Sequence, residues 1–336
     1  MPTSITSLEK IDLGGIPQWI SLRSTDINNP ILLYLHGGPG TPVMPLFRHF
    51  QAPLEEHFLV VQWEQRGAGK SFSWKIPKQS MTIDQFISDL HELIKILRKR
   101  FNKEKIYLVA HSWGSVFGMK TVQQYPELFH AYVGVGQASN TVETEQLMYH
   151  FVLEQARERQ DNKTLRKLKR IGPPFQDLEL PYTKFYKGGY QAKMSVYSLV
   201  AQYGGIIYKI KRMNDMIKIV LKYLPLLQPE YHLSDLFRII QGNIFSTKTM
   251  MKELLQIDLI KEVPELKVPV YFLMGRHDYN WSAELAKQYF DHLKAPQKEF
   301  IWFEHSAHAP NGEEPNKFNR LLIDKIISET FHSNYL

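Results

Sequence analysis

The sequence predicts an α/β protein: a mostly parallel central sheet with helices on both faces, interrupted by an inserted block of helices. Three observations predict it. Short apolar runs alternate with amphipathic helical patterns through the first third of the chain. That rhythm stops after Gln137 and gives way to a long stretch without strand signals. It resumes at Val268 and continues to the end. A length of 336 residues suits one large α/β unit carrying an insertion. The expected division is a core of residues 1–137 and 264–336, with a helical lid at 138–263.

Each element has its own signal. Ile11 to Leu13, Gly14-Gly15 and Pro17 to Leu22 read as an opening hairpin. Ile31 to Leu35 and Phe58 to Trp63 are continuous apolar runs, as buried strands require. From Thr82 to Phe101 the residues Ile83, Phe86, Ile87, Leu90, Leu93, Ile94 and Leu97 share one helical face, with Thr82 placed to cap it. Ile106 to Ala110 is the next strand, Gly114 to Tyr125 the next helix, and Ala131 to Val135 a further strand. In the insert, helices are joined at Gly172-Pro173-Pro174, Gly188-Gly189 and Gly204-Gly205. Val268 to Met274 and Glu299 to Phe303 are strands flanking a helix at Ser282 to Leu293. Pro315 to Phe331 is a closing helix with proline in its first turn.

Composition narrows the chemistry. Cysteine is absent, which excludes disulfides, a thiolate metal site and a cysteine nucleophile. No basic-then-apolar leader opens the chain, and the apolar stretch of the insert is broken by Lys209, Lys211, Arg212, Lys218 and Lys222, so a cytoplasmic protein without a transmembrane segment is expected. The net charge of +7 is concentrated: residues 155–223 hold fifteen Lys and Arg against five Asp and Glu. The basic lid, with Lys163, Arg166, Lys167, Lys169 and Arg170, is either a solvated face or a contact for acidic surfaces. No nucleic-acid-binding motif accompanies the charge, so no nucleic-acid partner is expected.

Catalytic residues are sought at strand ends. Ala110-His111-Ser112-Trp113-Gly114 lies between a strand and a helix, which puts Ser112 on a strand-to-helix turn facing the positive end of the helix. Small neighbours are needed at such a bend; Gly114 and Ala110 supply them, and Ser115 is assigned to helix packing. A serine needs a base, and the base a carboxylate. In the chain order serine, acid, histidine, Asp278 follows one late strand and His308 the next, so both loops reach the same sheet edge. His305 is the rival base; His277 and His111 read as turn residues. The oxyanion of acyl transfer needs backbone donors. Trp113 supplies one, and Gly38 in His36-Gly37-Gly38-Pro39-Gly40 is the choice for the other. A phosphate-binding reading of that loop is weak, because no Lys-Ser/Thr pair follows it.

Five motifs occur in order: His36 to Gly40, Glu64-Gln65-Arg66-Gly67-Ala68-Gly69-Lys70-Ser71, His111 to Gly114, Gly275-Arg276-His277-Asp278, and His308-Ala309-Pro310 with Glu313-Glu314-Pro315. Together they resemble the proline iminopeptidase family of α/β-hydrolases, over roughly residues 30–137 and 264–330. The resemblance implies an α/β-hydrolase fold, a lid over the active site, no metal and no organic cofactor. It also implies release of an N-terminal residue from short peptides. Two departures stand out. Glu64 replaces the family's usual aspartate, and Ile244 occupies the lid segment Gly242 to Ser246 where a substrate-binding glutamate is expected. Glu64, Glu143 and Glu145 are the remaining candidates to bind the substrate amine, since a buried cation needs a partner. The expected function is a serine aminopeptidase or amidase. A carboxylic ester hydrolase with the same triad is the alternative, and a non-catalytic binding protein on the same scaffold the third possibility.

Overall fold

A computed structural model describes residues 3–175, 186–210, 215, 218 and 221–331. Lys184, Lys211 and Arg212 of the basic segment lie outside the described residues. The strands are β1 (Ile5–Leu13), β2 (Ile16–Ser24), β3 (Ile31–Leu35), β4 (Leu59–Glu64), β5 (Ile106–His111), β6 (Phe129–Val135), β7 (Val270–Gly275) and β8 (Lys298–Phe303). They form one eight-stranded sheet in the order β1-β2-β4-β3-β5-β6-β7-β8. β1 and β2 are an antiparallel hairpin, β2 meets β4 antiparallel, and the remaining pairs are parallel. The hairpin turns through Gly14 and Gly15 at φ +53° and +74°, a conformation that favours glycine.

Alternation along the strands feeds two cores. Leu33 and Leu35 of β3 point to one face of the sheet, Leu32 and Tyr34 to the other, and all are buried. The first face is covered by α2 (Ile83–Phe101), α3 (Trp113–Gln124) and α9 (Ala283–His292). The seven predicted apolar residues of α2 are all buried, and Thr82 caps it by accepting from the Gln85 N–H at 3.2 Å. The second face is covered by α1 (Met44–Gln51) and the C-terminal helical segment. That segment differs from the expected single helix. A short α10 (Pro310–Glu313) precedes α11 (Pro315–Arg320), and residues Leu321–Ile326 then widen into a π-helix before Ile327–Thr330. α1 was not anticipated; its Val43-Met44-Pro45 start lacks a side-chain cap.

Between β6 and β7 the described residues hold helices only: α4 (Thr141–Glu158), α5 (Asn162–Ile171), α6 (Gly189–Gln202), the long α7 (Leu233–Leu254) and the short α8 (Leu259–Glu262), with a 3₁₀ turn at Leu224–Leu227. The chain enters and leaves this insert side by side. Asn140 bridges Asp258, the Thr141 N–H donates to Ile257 O at 3.0 Å, and the Leu259 N–H to Ser139 O at 2.8 Å. The insert packs around its own core, which includes Val152, Leu168, Val196, Leu199 and Leu255. On α5 the side chains of Lys163, Arg166, Lys167, Lys169 and Arg170 are exposed while Leu168 and Ile171 are buried, the pattern of a solvated amphipathic face.

Candidate active site

Ser112 sits at the tip of β5 with φ +54° and ψ −119°, a strained backbone for a residue with a Cβ. The neighbourhood enforces this bend. The Ser112 N–H donates to Val135 O at 2.9 Å, and Ser115 donates through its N–H and its hydroxyl to Ser112 O, the latter at 2.6 Å. The Ser115 hydroxyl also accepts from the Ala138 N–H at 2.9 Å, so it ties the bend to the lid entrance and does more than pack the helix. Gly114 lies so close to β3 that an added Cβ would sit 2.8 Å from Leu35 O.

Asp278 and His308 stand on the loops after β7 and β8. Asp278 Oδ2 accepts from His308 Nδ1 at 2.8 Å, while Asp278 Oδ1 accepts from the N–H groups of Asn280 and Trp281 at 2.8 and 3.1 Å. Three donors hold this carboxylate, which is 2% exposed. His308 Nε2 is buried and has no hydrogen-bond partner. Ser112 and His308 line one cavity of about 250 Å³, roofed by α4, α6 and α7. Of the two rival histidines, 308 is the one paired with the acid. The 305 backbone N–H donates instead to Glu314.

The loop carrying His308 is clamped from several sides. Its backbone N–H donates to Ile206 O of the lid at 3.0 Å, and its carbonyl meets His111 Nε2 at 2.8 Å. The His111 ring lies 4.9 Å from the His308 ring, and burial pushes its pKa down to about 3, so it stays neutral and donates to that carbonyl. Glu313 bridges the Ala307 N–H and the Tyr208 N–H, each at 2.7 Å, joining the His308 loop to the helical insert. Burial raises its carboxyl to about 7.

The glycine loop crosses above Ser112. A Cβ on Gly37 would lie 3.0 Å from Ser112 Cβ, and one on Gly38 (φ +124°) would lie 2.5 Å from Gly40 N. Gln65 fixes the base of this loop: its side-chain amide donates to His36 O at 2.9 Å, and its backbone N–H to His36 Nε2 at 3.2 Å. His36 is therefore the neutral Nδ1–H form, donating to Gly37 O at 2.8 Å, and burial lowers its pKa to about 4. Gly38 lines the cavity. Trp113 opens α3, where the first N–H groups have no intrahelical acceptor.

The three candidate amine anchors separate. Glu145 on α4 is 3% exposed, lines the cavity and pairs with Lys193 of α6. Glu143 is exposed and does not line it. Glu64 is also absent from the lining: it lies beneath the lid junction, where it accepts from the Tyr231 hydroxyl and, at 2.5 Å, from the Lys70 N–H. Its neighbour Arg66 forms a buried two-pronged pair with Asp89 at 2.9 and 3.1 Å, so the Glu64-to-Gly67 motif builds structure under the site. Ile244, placed by resemblance where an acid is expected, is 38% exposed and faces away; α7 presents Asn243, Thr247, Met251 and Leu254 to the cavity instead. The sequence reading missed Tyr190, Lys193 and Tyr197, although their spacing with Met194 marks one face of α6.

No helix among the described residues is long and apolar enough to cross a membrane. Residues 30–315 match the family model described as alpha/beta hydrolase fold. The chain is 34% identical over 321 residues to "Probable aminopeptidase YbaC" of Bacillus subtilis (strain 168), covering 95% of this chain and 96% of that one. It is 23% identical to the proline iminopeptidase of Saccharolobus solfataricus, over 94% of this chain and 91% of the relative. Among solved structures it resembles VinJ (TM-score 0.66, 18% identity, 96% and 98% covered). It also resembles the proline iminopeptidase of Mycobacterium smegmatis (TM-score 0.63, 14% identity, 96% and 99% covered). The chain belongs to the α/β-hydrolase fold family.

Proposed function

We propose that this protein is a serine aminopeptidase that removes the N-terminal residue of short peptides, with Ser112 as nucleophile, His308 as base and Asp278 as the acid that orients it. The observation that carries the reading is the Asp278–His308 bond, which leaves Nε2 of His308 without a hydrogen-bond partner in a residue that lines the same cavity as Ser112. Ser112 and His308 share no hydrogen bond in this arrangement, and the contact tightens when substrate closes the site.

In the first step His308 Nε2 takes the Ser112 proton as Oγ attacks the peptide carbonyl carbon. The N–H groups of Gly38 and Trp113 receive the oxyanion. The C–N bond then breaks as His308 returns the proton to the leaving amine. Water, deprotonated by the same imidazole, releases the acyl group as a free amino acid. Asp278 stabilises the imidazolium in both steps. Glu145 receives the substrate ammonium. The relative named as a probable aminopeptidase, similar over nearly the whole chain, supports this reading.

The test compares an aminoacyl amide with its N-acetylated form. Blocking the amine is expected to lower kcat/KM strongly; equal turnover would defeat the aminopeptidase reading. An ester hydrolase with the same triad is the second reading, favoured by the Met148, Met194, Met251, Leu254 and Trp281 side chains around the cavity. Faster turnover of short acyl esters than of any aminoacyl amide would favour it.

A further inference from the structure

The glycine loop above Ser112 is held at both ends, and the helical insert supplies one of the two grips. Gln65 fixes its base through His36. Asn243 of α7 fixes its far end: the side-chain amide donates through Nδ2 to Pro39 O at 3.2 Å and to Thr41 Oγ1 at 2.9 Å. Pro39 O can only accept, so this partner sets which way the amide faces. Gly38 lies between the two anchors at φ +124°, and its N–H makes no backbone hydrogen bond among the described residues.

The grip is close. A Cβ on Gly40 (φ +82°) would stand 3.0 Å from Asn243 Cα, Gly242 O and Ser246 Cβ, so the backbone of α7 lies directly against the loop. A Cβ on Gly242 would stand 2.5 Å from Gly67 O, and the Ser246 hydroxyl donates to that same carbonyl at 3.1 Å. α7 is thereby seated on two core loops at once. The same part of the helix presents Asn243 and Thr247 to the cavity.

An N–H stabilises an oxyanion when it is already aimed at the place where the charge forms. Glycine has more backbone freedom than any other residue, so a loop with Gly37, Gly38 and Gly40 does not hold that aim by itself. Its anchors must. We infer that Asn243 is a positioning residue of the oxyanion site: through Pro39 O and Thr41 Oγ1 it holds the Gly38 N–H toward the acyl oxygen, so the helix that roofs the cavity also sets the donor's aim. This rests on the reading of Ser112 as nucleophile and Gly38 as donor, and it holds equally for a peptide and an ester substrate.

The experiment uses p-nitrophenyl acetate, which has no amine to be recognised, and the inhibitor phenyl trifluoromethyl ketone. Ser112 Oγ adds to the ketone carbon, its proton passes to His308, and the carbonyl oxygen becomes an oxyanion. Affinity for the ketone therefore reports the donor's aim without turnover. kcat, KM and ketone affinity are measured on wild type, Ser112→Ala, Asn243→Ala, Asn243→Asp, Thr41→Val and Thr41→Ser. Asn243→Asp keeps the shape of the side chain but offers Pro39 O no donor. Both Asn243 variants are expected to lose about tenfold or more in kcat and in ketone affinity, with KM held within about twofold, because a misaimed donor costs transition-state stabilisation. Thr41→Val, which removes one acceptor, should lose about threefold in both, and Thr41→Ser should retain the wild-type values. The Thr41 pair tests the same contact from its other side should an Asn243 variant fail to fold. Unchanged kcat and ketone affinity in the Asn243 variants, or a loss confined to KM or to the melting temperature, overturns the inference and leaves the serine hydrolase reading standing. Equal turnover by wild type and Ser112→Ala removes both.

Discussion

Replacing Glu64 with glutamine should make the protein more stable, and only above weakly acid pH. Glu64 is fully buried. The Lys70 ammonium pairs with Asp235 at 2.7 Å, and Glu64 is left with neutral donors, the Tyr231 hydroxyl and the Lys70 N–H. Burial therefore dominates and raises its carboxyl from 4.5 to about 7. A carboxyl that titrates near 7 in the fold and near 4.5 in the unfolded chain binds its proton more tightly in the fold, by about 3 kcal/mol at most. The sign follows: this contribution is complete below pH 4.5 and is lost as pH rises through 7. Glutamine cannot ionise, yet its amide can accept from the Lys70 N–H and donate to the Tyr231 hydroxyl. Urea unfolding of wild type and Glu64→Gln at pH 5, 6, 7 and 8 isolates the effect, because Glu313 and other titrating groups are common to both. The stability difference should grow in favour of the variant by up to about 3 kcal/mol between pH 5 and 8. A difference that stays constant, or that grows toward acid pH, would refute the reasoning.

Ser112→Ala should lower kcat by about 10⁴-fold or more and abolish labelling by a fluorophosphonate probe, while the melting temperature holds. Gly275→Ala should damage fold and activity together. Its Cβ would stand 1.9 Å from Ala307 O and 2.6 Å from Ser306 O, so the loop bearing His308 must shift, at a cost of about 1–3 kcal/mol or more in denaturant melts. Glu313→Ala should remove the acceptor shared by the Ala307 and Tyr208 N–H groups, costing about 1–3 kcal/mol for each. Hydrogen exchange should rise at both amides, and Glu313→Gln, which keeps one acceptor, should fall between.

The core was legible because its signals are local and redundant. β3 is buried on both faces and reads as an unbroken apolar run, and the seven apolar positions of α2 fall on one stripe. The serine, acid and histidine positions follow from the parallel topology, which carries successive strand ends to one edge. What failed in the core failed for tertiary reasons. α1 has no side-chain cap and only eight residues, so its helicity depends on Phe47 packing against the sheet. The π-helical widening at Leu321–Ile326 leaves no mark in a pattern whose apolar residues, Leu322 and Ile326, still reach the core.

The lid resisted reading for a different reason: a helix of known extent still has an unknown phase. At 3.6 residues per turn, one position moves a side chain by about 100° around the axis. On α7 the exposed stripe Leu233, Phe237, Ile240 and Ile244 and the cavity stripe Asn243, Thr247, Met251 and Leu254 both repeat at helical spacing. Apolar residues on the outer stripe mimic a buried face, so periodicity alone points the helix the wrong way. The same ambiguity conceals Lys193 among the lid's many basic residues: those of α5 stand in solvent, while Lys193 shares a stripe with Tyr190, Met194 and Tyr197 and meets Glu145 from another helix. Triad positions on a sheet edge are fixed by the topology that all parallel strands share. In this chain the cavity roof is therefore built where the sequence constrains geometry least, on helices whose rotation is settled only by packing.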